Sequence, residues 1–138
     1  MAAMTPRRTG AAVTEAELTV LRTLWDGGPA TVREVLDRVG PDGQDWAYTT
    51  VQTLLLRLQE KGCVGADKRG MAHVFRAIVS RDQFAGQRLD EVKDAILDGA
   101  AAPLVLRLVQ NGKFTPAEIA HFRKLLDDAE HRGRKEGR

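Results

Sequence analysis

Apolar residues return every three or four positions along most of this chain, and the rhythm breaks once. Leu18, Leu21, Leu24 and Trp25 form the first stripe, which predicts a helix from about 15 to 26, stopped by Gly27, Gly28 and Pro29. Val32, Val35, Leu36 and Val39 predict a second helix over 32–39, ended by Gly40 and Pro41. Val51, Leu54, Leu55 and Leu58 predict a third, over about 47–61, ended by Gly62. Helix starts are marked by a Thr or Ser three residues before a Glu or Gln, a spacing that satisfies backbone donors in both directions. The pairs are Thr14/Glu17, Thr31/Glu34, Thr49/Gln52, Ser80/Gln83 and Thr115/Glu118.

After Gly62 the period shifts toward two. Cys63 to Asp67 and His73 to Val79 suit two short strands, with Lys68, Arg69 and Gly70 as the turn between them. Three helices followed by a hairpin is the order of a winged helix-turn-helix, in which the third helix enters the DNA major groove and the hairpin touches the flanking backbone. The expected fold is therefore mainly α with a small β-hairpin.

Helical periodicity then resumes. Phe84, Ala85, Leu89, Val92 and Ile96 line a fourth helix from about 81 to 98. A short fifth helix, with Pro103, Leu104, Val105, Leu106, Leu108 and Val109, is apolar nearly all round and needs cover on several sides. A sixth carries Ile119, Phe122, Leu125 and Leu126. About 50 residues in three helices form a small core, so these surfaces are expected to meet those of a second chain, with Phe84, Leu89, Val92, Ile96, Leu104, Val105, Leu108, Ile119, Phe122 and Leu126 as the dimerisation residues. The resulting division is a winged-helix domain at 14–79, a dimerisation domain at 80–130, and flexible basic tails at 1–13 and 131–138.

Composition narrows the function. The chain has 138 residues, one cysteine and 43% hydrophobic residues, with no apolar run near the roughly 20 residues of a membrane span, so a cytoplasmic globular protein is expected. Net charge is only +2, yet Arg57, Lys61, Lys68, Arg69 and Arg76 face only Glu60 and Asp67 between Trp46 and Val79. An enzyme has little support: the one serine, Ser80, starts a helix, and His73, His121 and His131 have no metal-ligand spacing with Cys63.

The polar side of the third helix displays Thr49, Gln52, Thr53, Leu56, Arg57 and Glu60, flanked by Tyr48 and Thr50. Three threonines in five positions add nothing to helix propensity. They suit DNA: glutamine pairs with adenine, arginine with guanine or phosphate, threonine with a base edge or a thymine methyl, tyrosine with phosphate. Lys68 and Arg69 at the hairpin are the companion backbone contacts. A winged-helix adaptor that binds another protein through the same surface is the alternative, and salt dependence separates the two.

LTVLRTLWDGGPATVREVLDRV, WAYTTVQTLLLRLQEKGCV and PLVLRLVQNGKFTPAEIAHFRKLL together resemble the penicillinase-repressor (BlaI/MecI/CopY) family of bacterial transcriptional repressors, over nearly all of residues 14–128. The resemblance implies a winged-helix domain, a helical dimerisation domain and a palindromic double-stranded DNA operator. It puts Thr49, Thr50, Gln52, Thr53 and Arg57 where the family's recognition helix meets DNA, with Gln52 where some members have arginine. Several members are released by a protease that cuts an Asn-Phe bond in a segment resembling LVLNFVE, and the copper-responsive branch uses a cysteine-rich C-terminus. Here Arg107 and Leu108 occupy the scissile pair, Asn111 precedes Gly112, and Cys63 is the sole thiol. Release is expected through another signal or a protease of different specificity, with no cofactor and no metal.

Overall fold

The computed structural model describes residues 12–43 and 45–135. Arg7, Arg8 and the final residues 136–138 lie outside them. Six helices and one antiparallel hairpin follow in the order α1 (Glu15–Gly27), α2 (Val32–Gly43), α3 (Tyr48–Glu60), β1 (Val64–Arg69), β2 (Ala72–Ala77), α4 (Arg81–Ile96), α5 (Ala102–Asn111) and α6 (Pro116–Lys135). The mainly helical fold with a two-stranded wing is the one the periodicity predicts.

Four of the five capping boxes form. Thr14, Thr31, Ser80 and Thr115 each accept from the backbone N–H three residues on, and Glu17, Glu34, Gln83 and Glu118 reach back. The fifth does not: α3 starts at Tyr48, its N-cap is Ala47, and no side chain caps it. Thr49 and Gln52 lie inside the helix rather than at its boundary. Within α2 the regular helix breaks at Gly40, whose φ of 46° glycine adopts readily, just before Pro41.

Two compact units divide between Glu91 and Val92, inside α4. In the first, Val20, Leu21 and Leu24 of α1, Val35 and Val39 of α2, and Val51, Leu54, Leu55 and Leu58 of α3 form one buried cluster with Val64, Phe75 and Val79. Ala30 and Phe75 exchange backbone hydrogen bonds of 2.8 and 2.9 Å, fixing the wing to the α1–α2 connection. Arg38 Nη1 donates to the carbonyls of Thr23 and Gly28, tying α2 to the last turn of α1 and to the residue that caps it.

The strands shift slightly from expectation. Lys68 and Arg69 belong to β1, paired with His73 and Ala72, and the turn is Gly70 and Met71 alone. Gly70, with φ of 62°, supplies the left-handed geometry a two-residue hairpin turn requires, so the strands extend to meet it.

The start of α4 belongs with the first unit, past the expected boundary at residue 79. Trp25 Nε1 donates to the Val79 carbonyl at 2.9 Å, its ring lies 5.5 Å from that of Phe84, and Arg81 stacks over it while pairing with Asp26. Phe84, expected in the dimer surface, is thus packed on Trp25. In the second unit, Phe114 meets Phe122 edge to face at 5.1 Å, and no side chain of α5 or α6 is buried. Neither tail has the expected bounds. Val13 packs on the core and the Ala12 carbonyl accepts from Lys61, while α6 carries the chain helically to Lys135, with Arg134 near Glu130 one turn back.

Candidate nucleic-acid interface

The arrangement begins with the two faces of α3. Val51, Leu54, Leu55 and Leu58 are buried, which fixes the helix axis and its rotation. Tyr48, Thr49, Thr50, Gln52, Thr53 and Arg57 are then all exposed, together with Leu56. The six polar residues read from the sequence thus share one helix, open to solvent, and none of their side chains is used to cap it. Gly62, at φ 82°, ends the helix, and the Cys63 N–H closes back on the Leu58 carbonyl.

Beside α3 stands the wing. Lys68 is exposed on β1, and Met71 at the turn is 97% exposed. Arg69 ends β1 opposite Ala72; its side chain is outside the described set. The positive charge counted from the sequence is partly committed elsewhere. Arg76 pairs with Asp67 across the hairpin at 3.4 Å, and Lys61 is turned inward, donating to Glu17 and to the Ala12 carbonyl. Among the described residues of this region, Arg57 and Lys68 keep exposed charges without an ion-pair partner.

Two features escaped the sequence. Glu17 reads as a capping residue, yet it is 1% exposed and accepts from both the Thr14 N–H and Lys61. Burial, the largest influence, pushes its carboxyl up. Hydrogen bonds from Lys61 and Thr14, with the charges of Lys61 and Arg57, outweigh it and hold the group below its ordinary value. Arg33 of α2 is the other, its guanidinium 5.5 Å from the centre of the Tyr48 ring. An arginine over an aromatic residue 15 positions away leaves no periodic trace.

The apolar residues expected at a dimer contact are distributed over α4 to α6. Leu89, Val92, Ile96, Val105, Leu108, Ile119 and Leu126 are exposed, Ile96 by 70% and Leu126 by 64%, while Leu104 and Phe122 are half-buried. His73 lies on β2, and His121 and His131 on α6. No helix among the described residues is long and apolar enough to cross a membrane.

Three helices, a two-stranded wing and an exposed Thr/Gln/Arg face on the third helix define a winged-helix protein of the DNA-binding type. The sequence profile of the penicillinase repressor family matches residues 13–128, and the chain belongs to that family of transcriptional repressors. It is 25% identical over 123 residues to the penicillinase repressor of Bacillus licheniformis, covering 89% of this chain and 94% of that one. It is 32% identical over 96 residues to the transcriptional regulator BlaI of Mycobacterium tuberculosis, covering 68% and 69%. The solution structure of the DNA-binding domain of the repressor BlaI aligns with 58% of this chain and 90% of its own, at 26% identity and a TM-score of 0.47.

Proposed function

We propose that the protein is a homodimeric transcriptional repressor of a palindromic operator. The observation that carries this reading is the solvent-facing, uncapped polar surface of α3, held in a fixed rotation by the buried opposite face. In this reading α3 lies in the major groove with Gln52 and Thr53 at base edges and Arg57 at a guanine or a phosphate, and Lys68 with Arg69 meets the backbone beside it. A helix of 13 residues is about 20 Å long, enough to cross a groove about 12 Å wide.

The apolar stripes of α4 to α6 support the second half of the proposal. A helical unit of fewer than 50 residues with no buried side chain on α5 or α6 leaves surface that a second copy would cover. A dimer joins two half-sites roughly 34 Å apart and makes the second binding event intramolecular. Release is proposed to follow a signal, or a protease specificity, other than cleavage after asparagine, because Arg107 and Leu108 stand at the corresponding bond in α5.

Band shifts on genomic fragments flanking the gene test the function. A retarded fragment whose affinity falls steeply between about 50 and 200 mM salt supports it. Absence of any salt-sensitive complex, with a protein partner recovered instead, would replace it by the adaptor reading.

A further inference from the structure

We propose that Arg33 is an additional DNA-binding residue, taking a backbone phosphate at the edge of the groove that α3 enters, with the Tyr48 ring holding its side chain in place. The proposal rests on the DNA-binding reading above and adds to it a residue from α2, outside both the α3 face and the wing.

Arg33 and Tyr48 are both exposed, and the guanidinium lies over the ring, 5.5 Å from its centre. Tyr48 is the first residue of α3. The stack therefore ties a cation of α2 to the end of α3 at which the polar face begins, next to exposed Thr49 and Thr50. A guanidinium supported by a ring keeps its N–H edge available for two oxygens of one phosphate, and loses less freedom on binding than an unsupported one.

The fold itself gives little reason for a cation here. Among the described residues no carboxylate pairs with Arg33, and neighbouring Glu34 is engaged at the Thr31 N–H. Arg33 also occupies the first turn of α2, the end at which the helix dipole disfavours positive charge. An arriving phosphate supplies the missing counter-charge and is itself favoured by that helix end.

The test uses the full chain, an operator duplex selected with the unmodified protein, and a scrambled duplex of the same length, with binding measured between about 50 and 200 mM KCl. Arg33→Ala and Arg33→Gln are expected to weaken both duplexes by the same factor, about five- to tenfold at low salt, and to reduce the log–log salt slope by about one per bound protomer. Arg33→Lys should restore most of the slope. Unchanged affinity and slope in Arg33→Ala, with the unmodified chain binding normally, would overturn the proposal for Arg33 alone. A loss confined to one operator base pair would also overturn it, by making Arg33 a base reader. Failure of the unmodified chain to bind either duplex would remove the DNA reading itself, and Arg33 with it.

Discussion

Lys61 Nζ, at the C-terminal cap of α3, lies 2.5 Å from Glu17 Oε1 on α1, and the carboxylate it meets is 1% exposed. A charge this deep is tolerable only with its partners, because its hydration is lost. The pair therefore links the first turn of α1 to the end of the helix that carries the candidate DNA face. Lys61→Met is expected to cost on the order of 3 kcal/mol in urea unfolding, since Lys61 itself stays 19% exposed and the stranded carboxylate is the dominant loss. Replacing both residues, as Glu17→Leu with Lys61→Met, should cost less than the single Lys61 change. The pH dependence has a defined sign. Glu17 is held below its ordinary value of 4.5 in the folded chain, so its contribution is complete above that value and fades as the pH falls through the lower folded one. The native protein should lose stability below about pH 5 more steeply than Glu17→Gln.

Caps and readout residues separate by experiment. Thr14→Ala and Thr31→Ala remove hydrogen bonds that the structure contains and should each cost about 1 kcal/mol of stability. Thr49→Ala and Gln52→Ala remove none within α3 and should leave the unfolding midpoint within about 0.5 kcal/mol of the native chain. In binding the order reverses. Gln52→Ala should cost about 1 to 3 kcal/mol and relax preference at one operator position, whereas loss of a phosphate contact at Arg57 weakens all sequences alike. Competition against single-base operator variants reads the difference. A Gln52→Ala protein that binds normally but unfolds early would assign that residue to the fold.

Much of this was legible in the sequence because it is local. The apolar stripe of α3, four of the helix starts and the glycine stops depend on neighbours within one turn, and each appears where the periodicity puts it. Thr49/Gln52 has the spacing of a cap, but the helix starts at Tyr48 with Ala47 as its N-cap, two positions before Thr49, and no motif reveals that start. Long-range pairings left weaker traces. The burial of Glu17 depends on Lys61, 44 residues away, and the fate of Phe84 on Trp25 in another helix. Counting basic residues overstated the exposed charge near the wing, because Lys61 points into the domain and Arg76 is paired.

Cys63 is buried in the first unit between α3 and β1, and burial, offset in part by Lys61 and reinforced by Glu17, raises its thiol above the ordinary value. Labelling by a thiol-specific disulfide reagent at pH 8 should be at least about 100-fold slower in the folded chain than in urea, since it needs local opening. Equal rates in the two conditions would show that the α3–β1 junction is open.

Truncation distinguishes the expected domain boundary from the observed one. Residues 1–79 lack Arg81 and Phe84, while residues 1–91 keep both against Trp25 and Asp26. The longer fragment is expected to be more stable by about 1 to 2 kcal/mol, from half-burial of one aromatic ring and its stacking. Both fragments should sediment as monomers and bind operator far more weakly than the full chain.

The most direct measurement is sedimentation of the full chain at micromolar concentration, alone and with a duplex of about 30 base pairs carrying the selected operator. The expected result is a free species of twice the 15.2 kDa chain mass, and a complex of two protomers on one duplex that dissociates as salt rises. A free monomer that binds the duplex one protomer at a time, or a dimer that leaves the duplex unbound at low salt, would contradict it.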